Sequence, residues 1–359
     1  MKGKCELSGA ENANRNKLQQ EKPLVYEKVR RFDEKMANGE SIAIIQLQYN
    51  YGCNVHCEHC SIKPFQGRNN ARSLTPADVK DLFEQADAMG LARVTITGGE
   101  PLTFPDFDEL VAAIDPQKFY VNCDTNGLLL TPKQAKHLKS IGVDRIQLSL
   151  DSLDPATHDA FRGKRGLHAS AMAGIGAARD AGLAIFIQTV VTKQRLYSDE
   201  FIQFLEYFKG MGIGVFVSYA KPVGAWAGQF DMLVNKDDMR YMETLEQKYK
   251  VFTHLTKAYG LDMGCISVKG MFSVTQYGDV LPCPYIHTSI GNIFEEPLKD
   301  IIDRGLNIKF FGKHVNTCLI AESLPFIKKY VAGRIYDKPL PVPWQEVFTE
   351  EDFIDPSKM

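Results

Sequence analysis

The stretch Ile42–Phe65, IAIIQLQYNYGCNVHCEHCSIKPF, decides how the rest of the chain is read. A run of β-formers ends at Asn50, and Cys53, Cys57 and Cys60 follow it in a C-x3-C-x2-C arrangement. Three thiolates on a short loop after a strand can hold three corners of an iron–sulfur cube, which normally takes four. The missing fourth ligand leaves one iron open to bind something else. A structural zinc is the competing reading, with His56 or His59 as fourth ligand, because C-x2–4-C spacings also suit that metal.

Outside this loop the chain reads as an ordinary globular protein. Of its 359 residues, 44% are hydrophobic, and 42 Lys+Arg stand against 44 Asp+Glu. A balance that close predicts no nucleic-acid or other polyanion partner. No apolar run approaches the ~20 residues that span a bilayer, and the polar N-terminus carries no signal-peptide core. Eight cysteines in such a chain argue against a disulfide scaffold and for reduced thiols on metal in a cytoplasmic protein.

From residue 42 onward, β-rich runs alternate with helical patterns. The predicted strands are 42–49, 92–97, 118–123, 144–150, 183–192 and 213–219. Thr75-Pro76-Ala77-Asp78 combines an N-cap, a proline at N1 and a capping-box acid, and Gly90 stops the helix that follows. Thr131-Pro132-Lys133-Gln134 repeats the construction, with Gly142 as the stop. Two further helices are predicted at 168–181 and 199–209. Six such βα units, each about 30 residues, imply parallel strands with right-handed crossovers. The expected fold is α/β, a partial (βα)6 TIM-like barrel. Four parts are expected: an N-terminal extension (1–40) with a helix outside the main domain, the barrel (41–232), a linker helix (about 236–259) with a small α+β domain (233–330), and a tail (331–359).

Ligands of such barrels gather at the C-terminal ends of the strands, and informative residues fall there. Gly98-Gly99-Glu100-Pro101 follows the second strand; its glycines would let the backbone approach a ligand, and its acid would meet an ammonium group. Asp124-Thr125-Asn126-Gly127 follows the third and also reads as an Asx turn. Ser149 and Asp151 end the fourth on one face, suited to a ribose, although either also reads as a helix cap. Gln188 lies on the fifth strand, and Pro222 follows the sixth, where exposed backbone suits an adenine.

Taken in this order, C-x3-C-x2-C, GGEP, TNG and SLD resemble the radical S-adenosylmethionine (SAM) superfamily over residues 40–225. That family's cluster motif carries an aromatic residue before its last cysteine; here His59 holds the place. The resemblance implies that Cys53, Cys57 and Cys60 ligate a [4Fe–4S] cluster whose open iron chelates SAM. It further implies that Gly98, Gly99 and Glu100 contact the methionine amino group, that Ser149 and Asp151 sit at the ribose or methionine, and that Arg162 meets the carboxylate. One electron, from a donor such as flavodoxin or ferredoxin, would then cleave SAM to a 5′-deoxyadenosyl radical that takes a substrate hydrogen atom. Cys123 would return a hydrogen atom to the substrate, or else be a small core residue.

In the last third, Cys265, a hairpin turning at Tyr277-Gly278-Asp279, Cys283, an amphipathic helix and Cys318 resemble the SPASM/twitch extension, which holds auxiliary [4Fe–4S] clusters. Ala321 stands where a fourth cysteine of the usual pattern would fall. The fourth corner is thus open to substrate or closed by His287, His314 or a carboxylate. Otherwise the three cysteines are core residues. Cys5 reads as incidental, and the tail as a cover for the barrel mouth or a surface wrap. The expected activity is oxidative modification or cross-linking of a peptide. The alternative is dehydrogenation or epimerisation of a small polar metabolite, an aminosugar or nucleotide, favoured by a short N-terminus without room for a leader-peptide recognition domain. A non-enzymatic metal-binding sensor is the remaining reading.

Overall fold

The computed structural model describes residues 9–65, 71–259 and 261–358. Cys5 lies outside them. Its centre is one sheet built from β1 (Ile44–Asn50), β2 (Arg93–Gly98), β3 (Tyr120–Thr125), β4 (Arg145–Ser149), β5 (Ala184–Val191), β6 (Gly214–Tyr219), β7 (Val251–Phe252), β8 (Met271–Val274) and β9 (Val280–Leu281). The order across it is β7-β6-β5-β4-β3-β2-β1-β8-β9. Every neighbouring pair is parallel except β8 and β9, which form the expected hairpin. The six predicted barrel strands lie next to one another in chain order, curled into a partial barrel.

The helices that cover the sheet follow from local signals. Helix α4 (Pro76–Ala88) starts with the full capping box between Thr75 and Asp78, and Val79, Leu82, Phe83 and Ala86 are buried at helical spacing. Helix α6 (Pro132–Ser140) is capped by the Thr131 hydroxyl, which accepts from Gln134 N at 3.2 Å. Helices α5 (Phe107–Ile114), α8 (Leu167–Asp180) and α10 (Asp199–Gly210) complete the outer layer, and α7 (Pro155–Arg162) leads into α8. Each presses an apolar stripe on the outward-facing residues of the strands. That layer holds Ile45, Leu47, Val94, Ile96, Val121 and Cys123 in one continuous core.

Three expectations change. The helix predicted for 236–259 ends early: α11 runs Lys236–Lys248, and Val251–Phe252 joins the edge of β6 as β7. Burying Val251 against the sheet outweighs one more helical turn. The auxiliary hairpin does not form a separate sheet, since β8 pairs with β1 and extends the barrel. Finally, the N-terminal helices α1 (Gly9–Glu21), α2 (Pro23–Val29) and α3 (Phe32–Ala37) are no outlying extension. They close the end of the barrel where the strands begin, with Val25, Val29 and Phe32 packed on Ile42, Ala92 and Met263. Lys22 there bridges the Asp144 carboxylate at 2.8 Å and Lys28 the carbonyls of Leu91 and Lys118 at 2.9 Å.

The tail crosses the opposite side. Val342–Pro343 pairs with Thr288–Ser289, and Leu340 packs on Tyr51, Ile62 and Phe65 beside the cysteine loop. Replacing Thr75 by Ala removes the hydroxyl arm of the capping box, which accepts from Asp78 N, on an exposed helix start. Urea unfolding is expected to register a loss of about 1 kcal/mol.

Candidate functional site

The cysteine loop is held mainly by backbone. Asn50 O accepts from Gly99 N and Gly52 O from Glu100 N, both at 2.8 Å. A Cβ on Gly99 would lie 1.9 Å from Gly52 O, so glycine is required by the loop's own backbone rather than by a ligand. Farther along, Glu58 N donates to Phe161 O at the end of α7, and Cys60 O accepts from Ala225 N, both at 3.0 Å. Gly224, at φ +63°, makes that second approach possible, since its Cβ would stand 2.4 Å from Cys60 O. Turns after β2, β4 and β6 thus converge on one loop.

Cys53, Cys57 and Cys60 all line the barrel's cavity of about 420 Å³. Burial pushes the Cys53 thiol up to about 11 and raises Cys60 as well. The Arg162 guanidinium stands 3.9 Å from Cys57 Sγ and is itself fixed by Asp151, Nε to Oδ2 at 2.6 Å. His59 stacks on Phe161 at 4.6 Å between ring centroids and lies near Trp226. Burial drives its pKa down to about 3, helped by Arg162, so it acts as a neutral ring. Among the described residues no three His, Cys, Asp or Glu side chains converge as a single metal ion requires. A four-iron cube takes each thiolate at a separate corner. Three free thiols around one cavity, beside a guanidinium, fit that group and not zinc.

Glu100 is buried beside the loop. Its carboxylate accepts from Thr125 Oγ1 at 2.6 Å, Asn126 N at 2.8 Å and Leu102 N at 3.1 Å. Burial raises its pKa against these donors. A carboxylate offers about four acceptor positions, so one stays open toward the cavity. Gly98, Asn126, Ser149 and Gln188 line the same space, with Gln147 Nε2 hydrogen-bonded to Gln188 Oε1.

Other predicted residues are placed differently. Asp151 does not line the cavity: its carboxylate faces Arg162, Val190 N (2.8 Å) and Thr189 (3.3 Å), so no ribose reaches it. Burial raises its pKa, but the Arg162 guanidinium outweighs this and holds it well below the usual carboxylate range. Pro222 is also outside, its carbonyl taken by the Tyr336 hydroxyl of the tail. Cys123 faces the helices, because Asn122 and Asp124 on either side of it point inward and a strand alternates. It cannot serve as a hydrogen donor in the barrel.

Cys265, Cys283 and Cys318 line the same cavity as the first three cysteines. Burial pushes Cys283 and Cys318 up to about 12. Neither His287 nor His314 reaches them: His287 packs on Phe65 outside the cavity, and His314 pairs with Asp262 at 3.1 Å. His254, just after β7, does, with Nε2 3.1 Å from Cys318 Sγ. In the sequence it falls within the helix expected for 236–259. Two more cavity residues were missed. Lys221 is buried with Nζ 2.6 Å from Tyr219 O and 4.0 Å above the Tyr285 ring. Asp124, read as a turn residue, points inward with Oδ1 buried and unpartnered. Burial pushes its carboxyl up to about 7 against the Thr97 hydroxyl.

A family model described as the radical SAM superfamily matches residues 47–208, and one described as the SPASM iron–sulfur cluster-binding domain matches 265–318. The AdoMet-dependent heme synthase of Nitratidesulfovibrio vulgaris is 27% identical over 292 residues, 72% of this chain and 78% of that protein. The PqqA peptide cyclase of Streptomyces rochei is 34% identical over 145 residues, 40% of this chain and 39% of that one. Streptococcus suis SuiB bound to its precursor peptide SuiA has a similar fold, with a TM-score of 0.60 at 19% identity over 77% of this chain and 69% of that one.

Two substitutions test the geometry. Gly99→Ala should abolish iron loading by anaerobic reconstitution, whereas Gly176→Ala, on an open helix face, should load normally. Asp151→Asn leaves Arg162 buried without its partner. Denaturant unfolding should show a loss of about 3–5 kcal/mol.

Proposed function

The chain is a radical SAM enzyme with a C-terminal SPASM domain, and on that premise we propose that it oxidises a substrate held inside the barrel between its two cysteine sets. One observation carries this reading: all six cysteines face a single cavity. Cys53, Cys57 and Cys60 are assigned the SAM-binding [4Fe–4S] cluster, and Cys265, Cys283 and Cys318 the auxiliary one. When bound, the first cluster supplies the electron that cleaves SAM to methionine and a 5′-deoxyadenosyl radical, which takes a hydrogen atom from the substrate.

The chain's own residues bind and orient. The open acceptor position of Glu100 receives the SAM ammonium, while Ser149 and Gln188 offer polar contacts to the rest of the molecule. Asp151 and Pro222 act indirectly, Asp151 by holding Arg162 against Cys57 and Pro222 by anchoring the tail. A substrate that has lost a hydrogen atom leaves oxidised once it loses another electron, which the auxiliary cluster held by Cys265, Cys283 and Cys318 would accept, and a proton. Asp124 is placed to take the proton, since it titrates near neutrality within the cavity. An electron donor such as flavodoxin or ferredoxin is the expected partner.

For the substrate we favour a peptide side chain, supported by the 34% identity to a peptide cyclase within the barrel-length match. A small polar metabolite is the second reading. The longer match is to a heme synthase, and Gln46, Thr95, Asn122, Gln147 and Lys221 bring polar groups to the cavity.

Anaerobic reconstitution tests the reading. About eight irons per chain, four for each [4Fe–4S] cluster, and reductant-dependent 5′-deoxyadenosine from SAM are expected; half the iron would remove the auxiliary cluster, and no SAM cleavage would remove the enzyme. Turnover should rise with pH through about 7 as Asp124 ionises, and Asp124→Asn should flatten that step. Because its folded pKa is raised, the same group makes the protein less stable as pH climbs from about 4 toward 7, a trend the variant should also lose.

A further inference from the structure

The floor of the cavity is made by Arg93 and Arg145, the first residues of β2 and β4. An arginine that opens a strand is ordinarily solvated. These two are held by rings instead. The Arg93 guanidinium lies 5.2 Å from the Tyr120 centroid and 5.0 Å from that of Tyr259, and Arg145 lies 5.2 Å from Tyr120 and 4.2 Å from Phe186. Tyr259 is itself set edge-on against Phe32 of the N-terminal helices that close this end of the barrel.

Among the described residues neither guanidinium has an ion pair, and the Nε of each is buried without an acceptor. The nearby acids are spoken for or distant along the strands. Asp144 is taken by Lys22 and by Val121 N on the outside, Glu100 lies beyond the far end of β2, and Asp124 sits at the other end of β3. Two like charges gathered in an enclosed space without a counter-charge are unfavourable, and a protein tolerates them where a ligand brings the opposite charge.

We propose that Arg93 and Arg145 form an anion subsite that grips a carboxylate or phosphate group of the substrate. The planar fork of arginine pairs with such oxyanions through two hydrogen bonds at once. Thr95, Asn122 and Gln147 line the cavity beside the pair and supply neutral polar contacts. The anion is held at the floor, so the rest of the substrate points along the barrel toward the Cys53–Cys60 loop. This rests on the reading that the substrate occupies the barrel cavity.

Calorimetric titration of the reconstituted full chain with succinate and, separately, with inorganic phosphate tests the subsite. One of the two should bind the wild type and Arg240→Gln, an exposed control, with equal affinity. Arg93→Gln and Arg145→Gln should each bind it at least tenfold more weakly, and the anion that binds identifies the group. Binding of neither anion, or equal binding by the floor variants, would overturn the proposal. Without anion the floor variants should melt no lower than wild type, because they have lost an uncompensated charge. A lower melting temperature would make the guanidinium a structural pillar and also overturn it. SAM cleavage by the wild type is followed separately. Anion binding without 5′-deoxyadenosine keeps the subsite and sinks the radical reading, and cleavage without anion binding does the reverse.

Discussion

The site depends on a backbone-to-backbone clamp. The loop carrying Cys53, Cys57 and Cys60 has little secondary structure of its own, so its shape is imposed by hydrogen bonds from Gly99, Glu100 and Ala225 and by the Glu58–Phe161 bond. These come from turns that follow different strands of one parallel sheet. Parallel strands end on the same side, so their C-terminal turns are neighbours in space although far apart in sequence. A loop gripped on several sides by rigid elements keeps three thiols in place before any cluster binds.

Electrostatics extends the clamp inward. Arg162 stands between Asp151 and Cys57, so a carboxylate fixed to β5 positions a cation beside a thiol destined to be a thiolate. Glu100 is held by three neutral donors and stays available to a ligand cation. At the floor, Arg93 and Arg145 have no ion pair among the described residues. The strand ends therefore carry charges of both signs, Glu100 beside Arg162 and Lys221, whereas Arg93 and Arg145 line the end where the strands begin.

Much of this was legible in the chain itself. Cysteine spacing, the GGEP and TNG turns and the proline-led capping boxes each have a local physical meaning, and together they specified the barrel and the cluster loop. Local meaning misled where two explanations share one sequence. The glycines before Glu100 serve the neighbouring backbone. Asp151 looks like a ribose ligand because strand-end acids often are, yet a buried arginine eleven residues on claims it. Cys123 fails for a simpler reason, the pleat of the strand.

The sequence by itself determined the order of strands and helices, the three-thiol loop and the second set of cysteines, because periodicity, caps and spacing are short-range properties. Only the tertiary structure decided that both sets face one cavity, that His254 rather than His287 or His314 reaches Cys318, and that Arg93 and Arg145 line it with no ion pair among the described residues. Those are facts about which distant residues meet. They follow from β7 and β8 joining the two edges of the barrel sheet and from the N-terminal helices closing its end, and pairing between such remote segments leaves no periodic trace in the chain.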